Sequence, residues 1–137
     1  MQIKISYQEV QEAVAKKFKQ CIELCYVDTS TFNVNYTIKI FGHSKSIGVN
    51  LKVDRIEESD IYMSYSGGLG IELVVSPFLS FMKRLLPEST GFIQEQGNQI
   101  VKIRLSEISQ MEKVLEKIKL ERISFDDERI IINAVMK

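Results

Sequence analysis

Between Phe32 and Asp54 the chain alternates apolar and polar residues with a period of two, and it does so twice. Phe32, Val34, Tyr36, Ile38 and Ile40 fall on one side, and Asn33, Asn35, Thr37 and Lys39 on the other. Gly42-His43-Ser44-Lys45 reads as a turn. Ile47, Val49, Leu51 and Val53 then alternate with Gly48, Asn50, Lys52 and Asp54. Successive side chains of a strand leave opposite faces, so this pattern predicts a half-buried antiparallel hairpin.

The rest of the chain is read around that hairpin. Ser6-Tyr7-Gln8-Glu9 is a capping box. It opens a helix in which Tyr7, Val10, Ala13, Val14 and Phe18 recur at helical spacing, fading near Gln20. Cys21 to Val27 reads equally as the last turn of that helix or as a first strand. After a turn at Glu57-Glu58-Ser59-Asp60, Ile61 to Tyr65 is a third strand of the meander, broken by Ser66-Gly67-Gly68-Leu69-Gly70. Ile71 to Val75 leads into Ser76-Pro77, a cap and a proline suited to the first helical position, and Pro87 stops the helix that follows. Two strands, Phe92 to Gln96 and Gln99 to Leu105, are joined at Gly97-Asn98. A second capping box, Ser109-Gln110-Met111-Glu112, marks a helix over 108–118 with Ile108, Met111, Leu115 and Ile118 on one face. Strands near Leu120 to Phe125 and Arg129 to Met136 close the chain around Asp126-Asp127-Glu128. The 137 residues suit one domain. The expected class is α+β: a single domain over 1–137, with a curled antiparallel sheet of about seven to eight strands and about three helices packed on it.

Charge narrows the partners. Lys and Arg number 18 and Asp and Glu 18, which gives no overall basic excess for a nucleic acid. No apolar run approaches the ~20 residues of a membrane span, and the start of the chain lacks the apolar core of a secretory signal, so a cytoplasmic location is expected. Cys21 and Cys25 read as reduced core thiols, with a redox pair or metal half-site as the alternative. A bond between them would close a very small loop.

Catalytic chemistry is not assembled by any motif. His43 is the single histidine, whereas a triad needs a nucleophile, a base and an orienting acid. With Cys21 and Cys25 it makes at most three zinc ligands, unpaired in spacing. The glycines at 67, 68 and 70 lack both the Gly-Lys-Ser/Thr of a phosphate loop and the dinucleotide fingerprint, and read as a bend or hinge. The acidic turns are too short for a calcium loop. Lys16, Lys17 and Lys19 suit the end of a helix by its dipole. Asn35-Tyr36-Thr37 matches a glycosylation sequon, which without a signal sequence is read as chance. The expectation is a protein that is not an enzyme and needs no cofactor or metal.

What remains is apolar surface. Within the helix over 77–86, Phe78, Leu79, Phe81, Met82, Leu85 and Leu86 span an arc of roughly 160°, opposed by Ser80, Lys83 and Arg84. Such a helix lies on a sheet, lines a cavity or meets a partner. Met and aromatic side chains adapt to irregular ligands. The expected ligand site has Phe78, Phe81, Met82 and Leu85 as walls, Met63 and Tyr65 facing them, and Lys83 and Arg84 at the rim for a headgroup.

The order of a capped helix (Ser6 to Gln20), long alternating strands (Phe32 to Phe41, Ile47 to Ile56), a greasy helix (Pro77 to Leu86) and the closing strands and helix resembles half of a tubular lipid-binding (TULIP-like) module. That resemblance implies acyl chains held between a curled sheet and a helix, and a dimer to complete the tube. The expected function is binding of an apolar or lipid-like small ligand in a groove between sheet and helix. The alternative is a protein-interaction or homodimerising module that uses the same helix or a strand edge.

Overall fold

A computed structural model describes residues 1–18, 22–67, 91–108 and 111–137. Among them are nine strands. β1 (Gln2–Ser6) leads into α1 (Tyr7–Phe18). β2 (Ile22–Asp28), β3 (Thr31–Ile40), β4 (His43–Glu57) and β5 (Asp60–Ser66) follow, then β6 (Ile93–Gly97) and β7 (Ile100–Arg104). A 3-10 turn, Leu105–Glu107, precedes the short helix α2 (Glu112–Lys117), and β8 (Ile118–Phe125) and β9 (Arg129–Met136) complete the order.

Two antiparallel sheets result, of six strands (β2-β3-β4-β5-β7-β6) and of three (β1-β9-β8). The expected single curled sheet carrying about three helices is therefore corrected. The protein is mostly β, with two separate sheets and two helices among the described residues. Two segments cause most of the difference. Gln2–Ser6 pairs with β9 along its whole length, from Gln2 opposite Asn133 to Ser6 opposite Arg129, and so adds a third strand to the β8–β9 hairpin. The segment left open at 21–27 is a strand from Ile22, paired with β3. The second helix is also shorter than expected. Met111 is its N-cap without a side-chain cap, and Ile118, expected as its last apolar position, already belongs to β8. Ser109 of the expected cap and the whole 77–86 helix lie outside the described residues.

The first helix begins where its capping box puts it. The Glu9 amide donates to Ser6 Oγ at 3.0 Å, and the Ser6 amide donates to Glu9 Oε1 at 3.3 Å. Each partner satisfies an amide that the helix leaves without an internal acceptor. Ser6→Ala is expected to lower stability by about 1 kcal/mol, read as a drop in the urea midpoint. An unchanged midpoint would mean the box contributes nothing to the fold.

The alternating faces meet in one core. Leu24, Val34, Tyr36, Ile47, Val49, Leu51, Ile61, Met63 and Val101 come from the inner face of the six-stranded sheet, Tyr7 from α1, and Phe125 from β8. Val49, with no exposed surface, sits at the middle of β4 opposite Val34. Phe32 and Phe125 join the two sheets, their rings 4.9 Å apart and tilted by 51°. The Phe125 amide also donates to the Thr29 carbonyl at 2.9 Å. A smaller cluster of Ile118, Leu120 and Ala134 packs against Ile56, Leu105 and Ile132. No described helix is long and apolar enough to cross a membrane.

Candidate functional site

The expected site residues divide sharply. Met63 is buried in the shared core, and Tyr65 is half-buried on the same face of β5, packed against that core. Phe78, Phe81, Met82, Lys83, Arg84 and Leu85 of the expected site lie outside the described residues.

A groove lies between helix and sheet elsewhere among the described residues. It lies between α2, the start of β8 and the β4–β5 turn, with a volume of about 610 Å³. Local sequence sets its walls. Glu112, Leu115 and Glu116 are spaced i, i+3 and i+4, so one face of α2 fronts it. Ile118 and Leu120 alternate inward from β8 with Lys119 between them. Glu58, at φ 56°, makes the tight turn that supplies the opposite lip with Ser59. Two backbone bonds hold the frame. Leu105 N donates to Ser59 O at 3.0 Å, and Lys137 N donates to Lys117 O at 2.9 Å. The result is an apolar floor of Leu115, Ile118 and Leu120 under a rim of Glu58, Glu112, Glu116, Lys119 and Lys137. Each of these floor residues carried a visible pattern in the sequence, as helix face or strand. Their convergence depends on where α2 stops, and no local signal shows that.

A second, smaller hollow of about 380 Å³ is polar, with Gln11, Asn35, Thr37 and Ser46 in its wall. Beside it the outer face of β3 and β4 carries an amide chain. Asn35 Nδ2 donates to Asn33 Oδ1 at 2.6 Å, and Asn33 Nδ2 donates to Asn50 Oδ1 at 2.7 Å. Gly48 leaves room for it, since a Cβ there would stand 2.8 Å from Asn35 Oδ1. These amides satisfy one another and hold the sheet face.

Charged groups on the other half of the sheet are also paired locally. Asp60 lies 3.5 Å from Lys102 and 3.8 Å from Arg104. The Arg55 guanidinium stacks 3.8 Å from the Tyr62 ring centroid and bonds Glu57 at 2.8 Å. Among the described residues Cys25 and His43 stand on different strands. Cys25 is in β2, not on a helix turn above Cys21, and Cys21 is outside the described residues. His43 is exposed at the first position of β4, so the expected turn at 42–45 is corrected to Phe41-Gly42. No group of three His, Cys, Asp or Glu among the described residues is placed to hold a metal ion.

Comparison with protein-family models, with curated proteins and with solved structures gives no match for this chain.

Proposed function

We propose that the protein binds an apolar or lipid-like small molecule, without catalysis, in the groove between α2 and β8. The observation that carries this reading is the pairing of an apolar floor with a charged rim in a cleft of about 610 Å³ between helix and sheet. Its volume falls within the roughly 300–1,000 Å³ of small-ligand sites. The ligand class is the one that the likeness to tubular lipid-binding modules implies. The support for it here is the groove. Met63 then contributes as core beneath the sheet and not as a ligand contact.

Leu115 gives the test. It is half-buried on α2, so a polar replacement reaches the groove without opening the main core. The purified protein, incubated with palmitate or lysophosphatidylcholine, is expected to retain one of them in native mass spectrometry. Leu115→Asp is expected to weaken retention by roughly tenfold or more, since a carboxylate must then be desolvated against the apolar body, while the melting curve stays cooperative. Equal retention by the variant, or none by the unmodified protein, would remove the groove from consideration. Ligand-free protein at twice the chain mass would instead favour the homodimerising alternative.

A further inference from the structure

We infer that the β3–β4 hairpin docks on an anionic lipid bilayer surface through its tip, with Phe41 as the inserting side chain. This inference stands apart from the groove and rests on three observations.

The first is exposure. Phe41 is 97% exposed, more than any other large apolar residue described. It also occupies a position that disfavours it. The hairpin closes on Ile40 opposite His43 through Phe41 at φ 50° and Gly42 at φ 80°. A two-residue turn with both central residues left-handed favours Asn-Gly, and a bulky side chain there is strained. Elsewhere among the described residues the left-handed non-glycine positions belong to polar residues, Glu58, Asn98 and Gln99. Phe41 thus carries both solvent exposure and backbone strain that an asparagine would relieve.

The second is reach. β2 pairs with β3 only as far as Tyr36, and β5 pairs with β4 only as far as Asn50. The four pairs from Thr37–Ser46 to Ile40–His43 have no third strand among the described residues. At about 3.3 Å per residue, this ribbon carries the turn roughly 13 Å past Tyr36.

The third is charge. From Thr29 to Val53 the sequence contains Lys39, Lys45 and Lys52 and no acidic residue. The whole chain has 18 cations and 18 anions, so this stretch is +3 and the remainder, 15 against 18, is −3. In register, Lys39 is one pair and Lys45 two pairs behind the pair that closes the turn. The order is an aromatic residue foremost, then cations set back along the ribbon. A bilayer presents the matching order, with anionic phosphates outside and hydrocarbon beneath. A nucleic acid would call for a broader basic face than one ribbon offers.

The full chain is tested by co-sedimentation with vesicles of phosphatidylcholine and phosphatidylserine in equal parts, and with vesicles of phosphatidylcholine alone. Binding is expected to the mixed vesicles, weakened by salt, and lower by roughly tenfold or more on phosphatidylcholine alone, since each basic residue near the surface contributes about fivefold. Phe41→Asn is expected to lose roughly tenfold or more in partitioning, and to melt no lower than the unmodified protein because asparagine tolerates the left-handed turn. That rise or constancy in melting separates lost docking from lost folding. The inference is overturned if the unmodified protein stays in the supernatant, if Phe41→Asn sediments equally, or if duplex DNA or polyglutamate is bound in place of the vesicles.

Discussion

Phe125→Ala is expected to cost about 3–5 kcal/mol, a large part of the 5–15 kcal/mol that stabilises a typical domain. Phe125 is 4% exposed near the end of β8, and its ring is half of the pair with Phe32 that bridges the two sheets. Ile123 and Ile130 pack against the same core from the small sheet, so truncation leaves a cavity between layers and not a dent at the surface. The backbone bond from Phe125 to Thr29 does not depend on the ring, which keeps the hairpin end in place and limits collapse into the void. The ring pair itself supplies about 0.5–1.5 kcal/mol beyond burial. A double-mutant cycle with Phe32→Ala should recover that coupling, since the two rings are in contact. The check is urea unfolding followed by far-ultraviolet circular dichroism and by tyrosine fluorescence. Coincident transitions with a strongly lowered midpoint are expected. A loss below about 1 kcal/mol, or two separate transitions, would mean that the sheets do not share one core.

The sequence announced those parts of the architecture whose determinants are local. Phe32 to Ile40 and Ile47 to Val53 alternate over many residues, and a period of two has a direct physical meaning in a strand. The reciprocal Ser6–Glu9 bonds are equally local, and the helix starts there. Gln2–Ser6 was harder to read. Ile3 and Ile5 alternate over only five residues, and what makes the segment a strand is β9, more than a hundred residues away. The three-stranded sheet is completed by that long-range pairing, so no local pattern could show it. The hairpin tip begins one residue before its Gly42-His43 signal, for a chemical reason. Left-handed turns are recognised by Asn or Gly, and here a phenylalanine fills the first central position. The groove posed a similar problem. Leu115 and Ile118 look like one helical face by spacing, but the chain passes from helix to strand between them, and both line the groove.

Alkaline pH should destabilise this fold through Tyr7. Its side chain is 6% exposed at the start of α1, and its hydroxyl donates to the Asp126 carbonyl at 2.7 Å. The Tyr7 amide is also engaged, donating to the Glu128 carbonyl at 3.0 Å. Burial first, and then the charge of Asp126, push the phenol up to about 12. The neutral phenol is therefore the form the fold prefers. An unfolded chain ionises the same group near 10. The stabilisation is complete below about pH 10, declines as the unfolded chain ionises, and is lost by the time pH has passed through about 12. A difference of about two pKa units corresponds to about 2–3 kcal/mol. Ionisation would also remove the only proton the hydroxyl can donate to Asp126, and set a phenolate near the carboxylates of Asp126 and Asp127. Tyr7→Phe separates this effect from general alkaline unfolding. At neutral pH it should cost only about 1 kcal/mol for the lost hydrogen bond. Between about pH 9 and about pH 12 its stability should fall by about 2 kcal/mol less than that of the unmodified protein. Some alkaline sensitivity should persist in the variant, because burial raises the Tyr36 phenol as well. Urea midpoints at the two pH values measure the difference. Parallel losses in both proteins would show that Tyr7 ionises as freely in the fold as outside it, and that its contact with the 126–128 turn is not closed to water.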